Sequence, residues 1–172
     1  RPFRGTSFGM SESALMYSRD GINFRLLEEP IIPPGRDVRN WAKHGQMTAW
    51  GMLQTAEDEL SIYIQQHDHQ PTTHLRRATL RTDGFVSLHA GAYPGGEAFT
   101  RPLVFEGNRL EINAATSAAG SIFVTVLDAE SNQPIEGFEQ SVEFYGDRIS
   151  HVILWDKRNE IAALSGRPIR LK

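Results

Sequence analysis

The chain contains no cysteine. That absence excludes disulfides, thiol nucleophiles and cysteine-ligated zinc, and leaves the redox compartment open. No apolar run approaches the roughly 20 residues that a membrane-spanning helix needs. An excess of positive charge is also missing. Lys and Arg number 18 against 21 Asp and Glu, a net charge of −3 with both signs interspersed, which argues against a nucleic-acid-binding surface. Neither a phosphate-cradling glycine loop nor a dinucleotide fingerprint occurs, and no Gly-x-Ser-x-Gly elbow marks a serine hydrolase. No cofactor is implied. With 172 residues and 40% hydrophobic content, the chain is long and apolar enough for a packed core in one large or two small domains.

What is present is strand signal. Leu60, Ile62 and Ile64 alternate with Ser61, Tyr63 and Gln65, and Leu110 and Ile112 alternate with Glu111 and Asn113; period two marks a half-buried strand. Ile122, Val124 and Val126 line one face of a longer run, with Phe123 and Leu127 on the other, so burial on both sides is expected there. The run from His151 to Trp155 reads similarly, and Met47 to Glu59 reads as strands. Turn signals separate these runs at Asp20-Gly21, Asp83-Gly84, Gly107-Asn108, Ser131 to Pro134, Gly146-Asp147 and Gly166. Asp83-Gly84 between apolar runs predicts a hairpin closed by a type I′ turn. The one helical expectation is Arg158 to Leu164, with Asn159 as N-cap and Gly166 past its end.

The expected architecture is all-β: a propeller-blade-like antiparallel segment over residues 1–74, then an antiparallel, jelly-roll-like β-sandwich over 75–172. The boundary is drawn at the polar loop His67 to His74, which contains Pro71. Trp155, Phe123, Phe138 and Tyr145 are assigned to the sandwich core or its rim. The chain opens at Arg1-Pro2-Phe3 and stops in strand-like sequence at Ile169 to Lys172, from which we expect a segment of a longer protein.

Several stretches carry a resemblance. They are Leu75-Arg-Arg-Ala-Thr-Leu-Arg-Thr-Asp-Gly-Phe-Val-Ser-Leu88, Thr100-Arg-Pro-Leu103, Gly107-Asn-Arg-Leu-Glu-Ile-Asn113, Gly120-Ser-Ile-Phe-Val-Thr-Val-Leu-Asp128, Pro134-Ile-Glu-Gly-Phe138 and Leu164-Ser-Gly-Arg-Pro-Ile-Arg-Leu171. In order and spacing they resemble the C-terminal region of bacterial proteins similar to glycoside hydrolase family 32, the invertase-like group. Met16-Tyr-Ser-Arg-Asp-Gly-Ile-Asn-Phe24 looks like a propeller-blade hairpin of sugar hydrolases. The resemblance implies a sandwich beside the end of a five-bladed propeller, and a parent protein that is a carbohydrate-active hydrolase, secreted or periplasmic. The family's catalytic motifs, an Asn-Asp-Pro type segment, an Arg-Asp-Pro and a Glu-Cys, are not in this sequence, so no catalytic residue is carried over. The partners implied are a glycan and the missing N-terminal part of the same chain.

Candidate site residues follow from sugar chemistry. Trp41 and Trp50 offer apolar ring faces for sugar C–H groups, and His44 can bond hydroxyls. Asp37, in a loop beside Arg36, Arg39 and Trp41, is the carboxylate best placed to join them. Glycoside hydrolysis requires paired carboxyl groups, but Asp20 is better explained by its turn, and Glu57 to Glu59 by a solvated hairpin tip. His67, Asp68, His69 and His74 read as a polar surface loop, since no third and fourth ligand complete a metal site. Arg77 and Arg81 share one strand face and Arg76 takes the other. A second reading is a stand-alone carbohydrate-binding or adhesion module without hydrolase activity.

Overall fold

A computed structural model describes residues 9–41, 45–156 and 161–172. Within them the chain forms ten β-strands, paired antiparallel in several separate sheets, and two single-turn 3₁₀ helices. The fold is all-β. Two compact units divide the chain, meeting between Phe85 and Val86.

In the first unit, β1 (Ser13–Tyr17) and β2 (Arg25–Ile32) form a two-stranded ribbon. Asp20 organises the turn between them. Its Oδ1 accepts the Ile22 N–H at 2.9 Å, the Asn23 N–H at 2.7 Å and the Ser18 hydroxyl at 2.8 Å. Its Oδ2 accepts the Asn23 amide at 2.6 Å. These donors, Asn23 foremost, hold the Asp20 carboxyl well below the usual carboxylate range. The carboxylate is occupied by its own turn, as the sequence predicts.

The rest of this unit is built on β5 (Glu59–Gln66). β3 (Gln46–Thr48) and β4 (Leu53–Ala56) follow one another along one edge of β5, and β6 (His74–Arg81) pairs with the opposite edge over its whole length. Between β3 and β4 the chain leaves the sheet at Gly51, whose φ is +84°. The period-two pattern is realised: Ile62 and Ile64 are buried on one face. On the other face Ser61 lies beneath Arg77, whose Nε donates to its hydroxyl at 2.8 Å. Arg77 also pairs with Glu59, while Arg76 reaches Gln66 at 3.4 Å, so the two arginines take opposite faces as expected.

Two expectations change here. The sequence reading divides the chain between residues 74 and 75. The structure instead gives β6 an eight-residue ladder with β5, extended by the Thr82 N–H to the Asp58 carbonyl at 3.0 Å. That ladder ties the stretch from Leu75 to the first unit. A turn does form here, but one residue earlier than expected, around Thr82 and Asp83, closed by the Gly84 N–H to the Arg81 carbonyl at 2.9 Å, and no second strand follows it. A type I′ turn needs positive φ at both central residues to match strand twist, and only Asp83 adopts it, at φ 57°. Gly84 is required for closeness instead: a Cβ there would meet Arg81 at 2.9 Å.

In the second unit, β7 (Leu110–Ala115) pairs with β9 (Asp147–Ile153), and β8 (Val126–Asp128) with β10 (Ile169–Leu171). Single bridges join Leu103 to Ile169 and Ile122 to Phe144. The ribbons enclose one apolar core of Val124, Val126, Ile153, Trp155, Ile161, Leu164 and Ile169, a sandwich-like arrangement. The Trp155 indole N–H donates to the Val124 carbonyl at 3.0 Å, and its ring meets Phe138 edge-on at 5.4 Å. One sequence expectation is corrected. Phe123 is exposed, so the 122–127 run is not buried on both sides; only Leu127 is covered on the second. Tyr145 is exposed too, and neither ring joins the core. Of the one or two helical turns expected over Arg158–Leu164, the described part is a 3₁₀ turn at Ile161–Leu164; Arg158, the proposed cap Asn159 and Glu160 lie outside the described residues.

The core makes a direct stability test. Ile153→Val is expected to cost about 1 kcal/mol, the usual cost of one buried methyl group. Leu88→Ser, at an exposed position, is expected to stay within about 0.5 kcal/mol of wild type. Urea titration followed through Trp155 fluorescence checks both.

Candidate functional site

The first unit has an unusual interior. Its buried apolar side chains among the described residues are Pro34, Ile62 and Ile64, whereas Asn40, Gln46, Ser61, Gln66 and His67 are buried polar groups. Buried polar groups need partners, because an unmade hydrogen bond is costly away from water. Most of these find theirs where the loop after β2 meets the end of β5.

That loop turns at Gly35, φ +71°, and enters a 3₁₀ turn over Val38–Trp41. Asp37 sits just before the turn. Its Oδ1 accepts the Arg39 backbone N–H at 3.1 Å and Arg39 Nε at 2.9 Å; its Oδ2 accepts Arg39 Nη2 at 2.8 Å. The same Oδ2 lies 2.9 Å from His67 Nε2. Hydrogen bonds from the Arg39 side chain and backbone hold the Asp37 carboxyl well below the usual carboxylate range, with His67 contributing less and partial burial opposing. Reciprocally, Asp37 raises the Arg39 guanidinium.

His67 follows β5 directly and takes the left-handed backbone region at φ 54°. It is 4% exposed. A carboxylate can only accept, so Nε2 carries a hydrogen towards Asp37. Nδ1 lies 3.0 Å from the Thr72 hydroxyl and 3.1 Å from the Thr72 carbonyl. The hydroxyl can donate to a neutral ring, and the carbonyl can accept from a charged one. The His67 N–H donates to Asn40 Oδ1 at 3.3 Å, and His74 packs edge-on against the ring at 4.7 Å. Both ring nitrogens are therefore engaged by protein groups. The arrangement clasps the loop after β2 to the end of β5.

The sequence-predicted residues fall as follows. Asp37 and Trp41 lie on the same loop. The Trp41 indole N–H donates to the Gly35 carbonyl at 2.9 Å, and the ring is 53% exposed. His44 lies outside the described residues. Trp50 stands fully exposed in the interruption between β3 and β4, level with residues 62 and 63 of β5. That places it about 13–16 Å along the strand from His67 at about 3.3 Å per residue, so the fold does not gather it with Asp37. The polar-loop reading of residues 67–74 is corrected at His67, which is buried; His69 is exposed and pairs with Asp68 at 3.2 Å. Asn40 and His67 are the residues that sequence reasoning missed. The left-handed turn at His67 breaks the β5 alternation there, so periodicity gave no signal for its burial.

Asp20, Asp37 and Glu59 each commit their oxygens to neighbouring donors. No helix among the described residues is long and apolar enough to cross a membrane.

Acid should open the clasp. The unfolded Asp37 titrates at its ordinary value of 3.8, and the folded one lower. Its stabilisation is therefore complete above that value and lost as pH falls through the folded value. Asp37→Asn is expected to flatten the acid limb of the urea midpoint measured from about pH 6 to about pH 2; Asp20 and Asp128, lowered in the same direction, leave a residual slope.

No protein-family model, curated protein or solved structure shows a significant match to the chain.

Proposed function

We propose that the chain is the C-terminal part of a carbohydrate-active, glycoside-hydrolase-like protein, secreted or periplasmic, and that it braces a β-propeller catalytic domain without being catalytic alone. The observation that carries this is the number of large apolar side chains left exposed in the first unit. Met16, Phe24, Leu26, Met52, Leu53 and Leu75 are all exposed, while among the described residues of the unit Ile62, Ile64 and Pro34 are the buried apolar side chains. Repeating β-units such as blades bury their apolar faces against neighbours, not within themselves. The missing N-terminal part of the same chain is the neighbour this reading supplies. The resemblance of Met16 to Phe24 to a blade hairpin, and of the later stretches to the invertase-like group, supports the same reading.

A second reading keeps the chain as a stand-alone carbohydrate-binding module. Trp41, with its indole edge fixed and its ring half exposed, favours it, with Asp37 on the same loop and Trp50 as a separate contact; His44, the other residue of this reading, lies outside the described residues. Glycan arrays and hydrolysis assays on a panel of fructosides and other glycosides separate the two. The bracing role predicts no hydrolysis by the isolated chain and strong binding of an apolar dye, reduced in a Leu53→Ser, Leu75→Ser variant. Turnover of any glycoside would sink it. The module reading predicts array binding weakened about tenfold or more by Trp41→Ala, the scale of one aromatic anchor.

A further inference from the structure

The 3₁₀ turn Val38–Trp41 is folded with its polar side in and its apolar side out. Residues three apart eclipse one another in such a helix. Asp37 and Asn40 therefore share a side, as do Val38 and Trp41. Asn40 is 2% exposed and Asp37 reaches His67, whereas Val38 is 78% exposed. Hydrophobic burial alone would turn the segment the other way. Something polar holds it, and the bonds name it. The His67 ring donates to Asp37, the His67 N–H donates to Asn40 Oδ1, and Gln70 Nε2 donates to the Arg39 carbonyl at 2.7 Å. All three join the 67–70 segment to the turn. Asn40 Nδ2 in turn donates to the Pro34 carbonyl at 3.1 Å, and Trp41 Nε1 to that of Gly35, so the ring is tied back to the start of its own loop.

We infer that His67 is a positioning residue: by drawing Asp37 and Asn40 inward, it holds Trp41 outward as a preformed face for the apolar side of a sugar ring. The sugar rests on the carbohydrate reading above; the positioning does not. His67 acts only through other residues, because its Nδ1 is held by Thr72 and its carbonyl accepts the Thr73 hydroxyl at 2.7 Å.

The left-handed backbone at His67 separates this role from a merely conformational one. Asparagine tolerates that region better than most side chains, yet its short amide does not reach Asp37. Glutamine suits the backbone less but places an N–H donor near the Nε2 position. The test uses the full ¹⁵N-labelled chain and follows exchange of the Trp41 indole N–H with water, the signal being assigned by its loss in Trp41→Phe. The buried Trp155 indole serves as the folding control. His67→Gln is expected to protect Trp41 within about threefold of wild type. His67→Asn is expected to speed its exchange about tenfold, the scale of one net hydrogen bond, with Trp155 unchanged in both. Protection in His67→Asn equal to or above that in His67→Gln would overturn the inference. Should either variant lose the β5–β6 amide signals, Asp37→Ala is read instead: faster Trp41 exchange supports the positioning, and unchanged exchange overturns it. Any glycan-array signal abolished by Trp41→Ala should fall in His67→Asn and persist in His67→Gln. An array blank for wild type removes the sugar and leaves the positioning to be decided by exchange.

Discussion

Strand β5 has hydrogen-bonded partners along both edges, and the first unit is arranged around that fact. β3 and β4 share one edge, β6 takes the whole of the other, and His67 emerges where the ladder ends. A strand paired on both sides has little freedom, so the residue that leaves its end is well placed to fix something else. His67 does so through the Asp37 carboxylate. The loop after β2, the 3₁₀ turn and the Trp41 ring follow from that one junction. Trp50 shows the contrast: it sits where β3 gives way to β4, and no such clasp constrains it.

The two units are stabilised by different means. In the second, aliphatic side chains and Trp155 form an apolar core between two ribbons, and the driving force is the removal of apolar surface from water. In the first, buried amides, a serine and a histidine occupy the interior. Such a network specifies geometry sharply, because each group is stable only with its partner in place. It contributes less net stability than an apolar core of the same size.

Several elements were legible from local pattern. The alternations at Leu60–Gln65 and Leu110–Asn113 became β5 and β7, the Met47–Glu59 stretch became β3 and β4, and Asp20 was consumed by its own turn. Each depends on neighbours in sequence: side-chain period two, or an Asx side chain bonding its next two or three N–H groups. The hairpin expected at Asp83-Gly84 failed because turn chemistry permits a strand to return without compelling it. The boundary expected at residue 74 failed because strand pairing, not loop composition, decides which unit a segment joins.

The amino-acid sequence by itself determined the all-β class, the positions of most turns, the exclusion of thiol chemistry and the placing of Asp37 and Trp41 on one loop. Only the tertiary structure decided that His67, thirty residues from Asp37, is buried against it. Only the structure, too, decided that Asn40 points inward and that Trp41 stands out from the loop. The reason is physical. Period and turn propensity are properties of a few consecutive residues, whereas a carboxylate–imidazole bond exists only once a ladder between distant strands has brought its partners together.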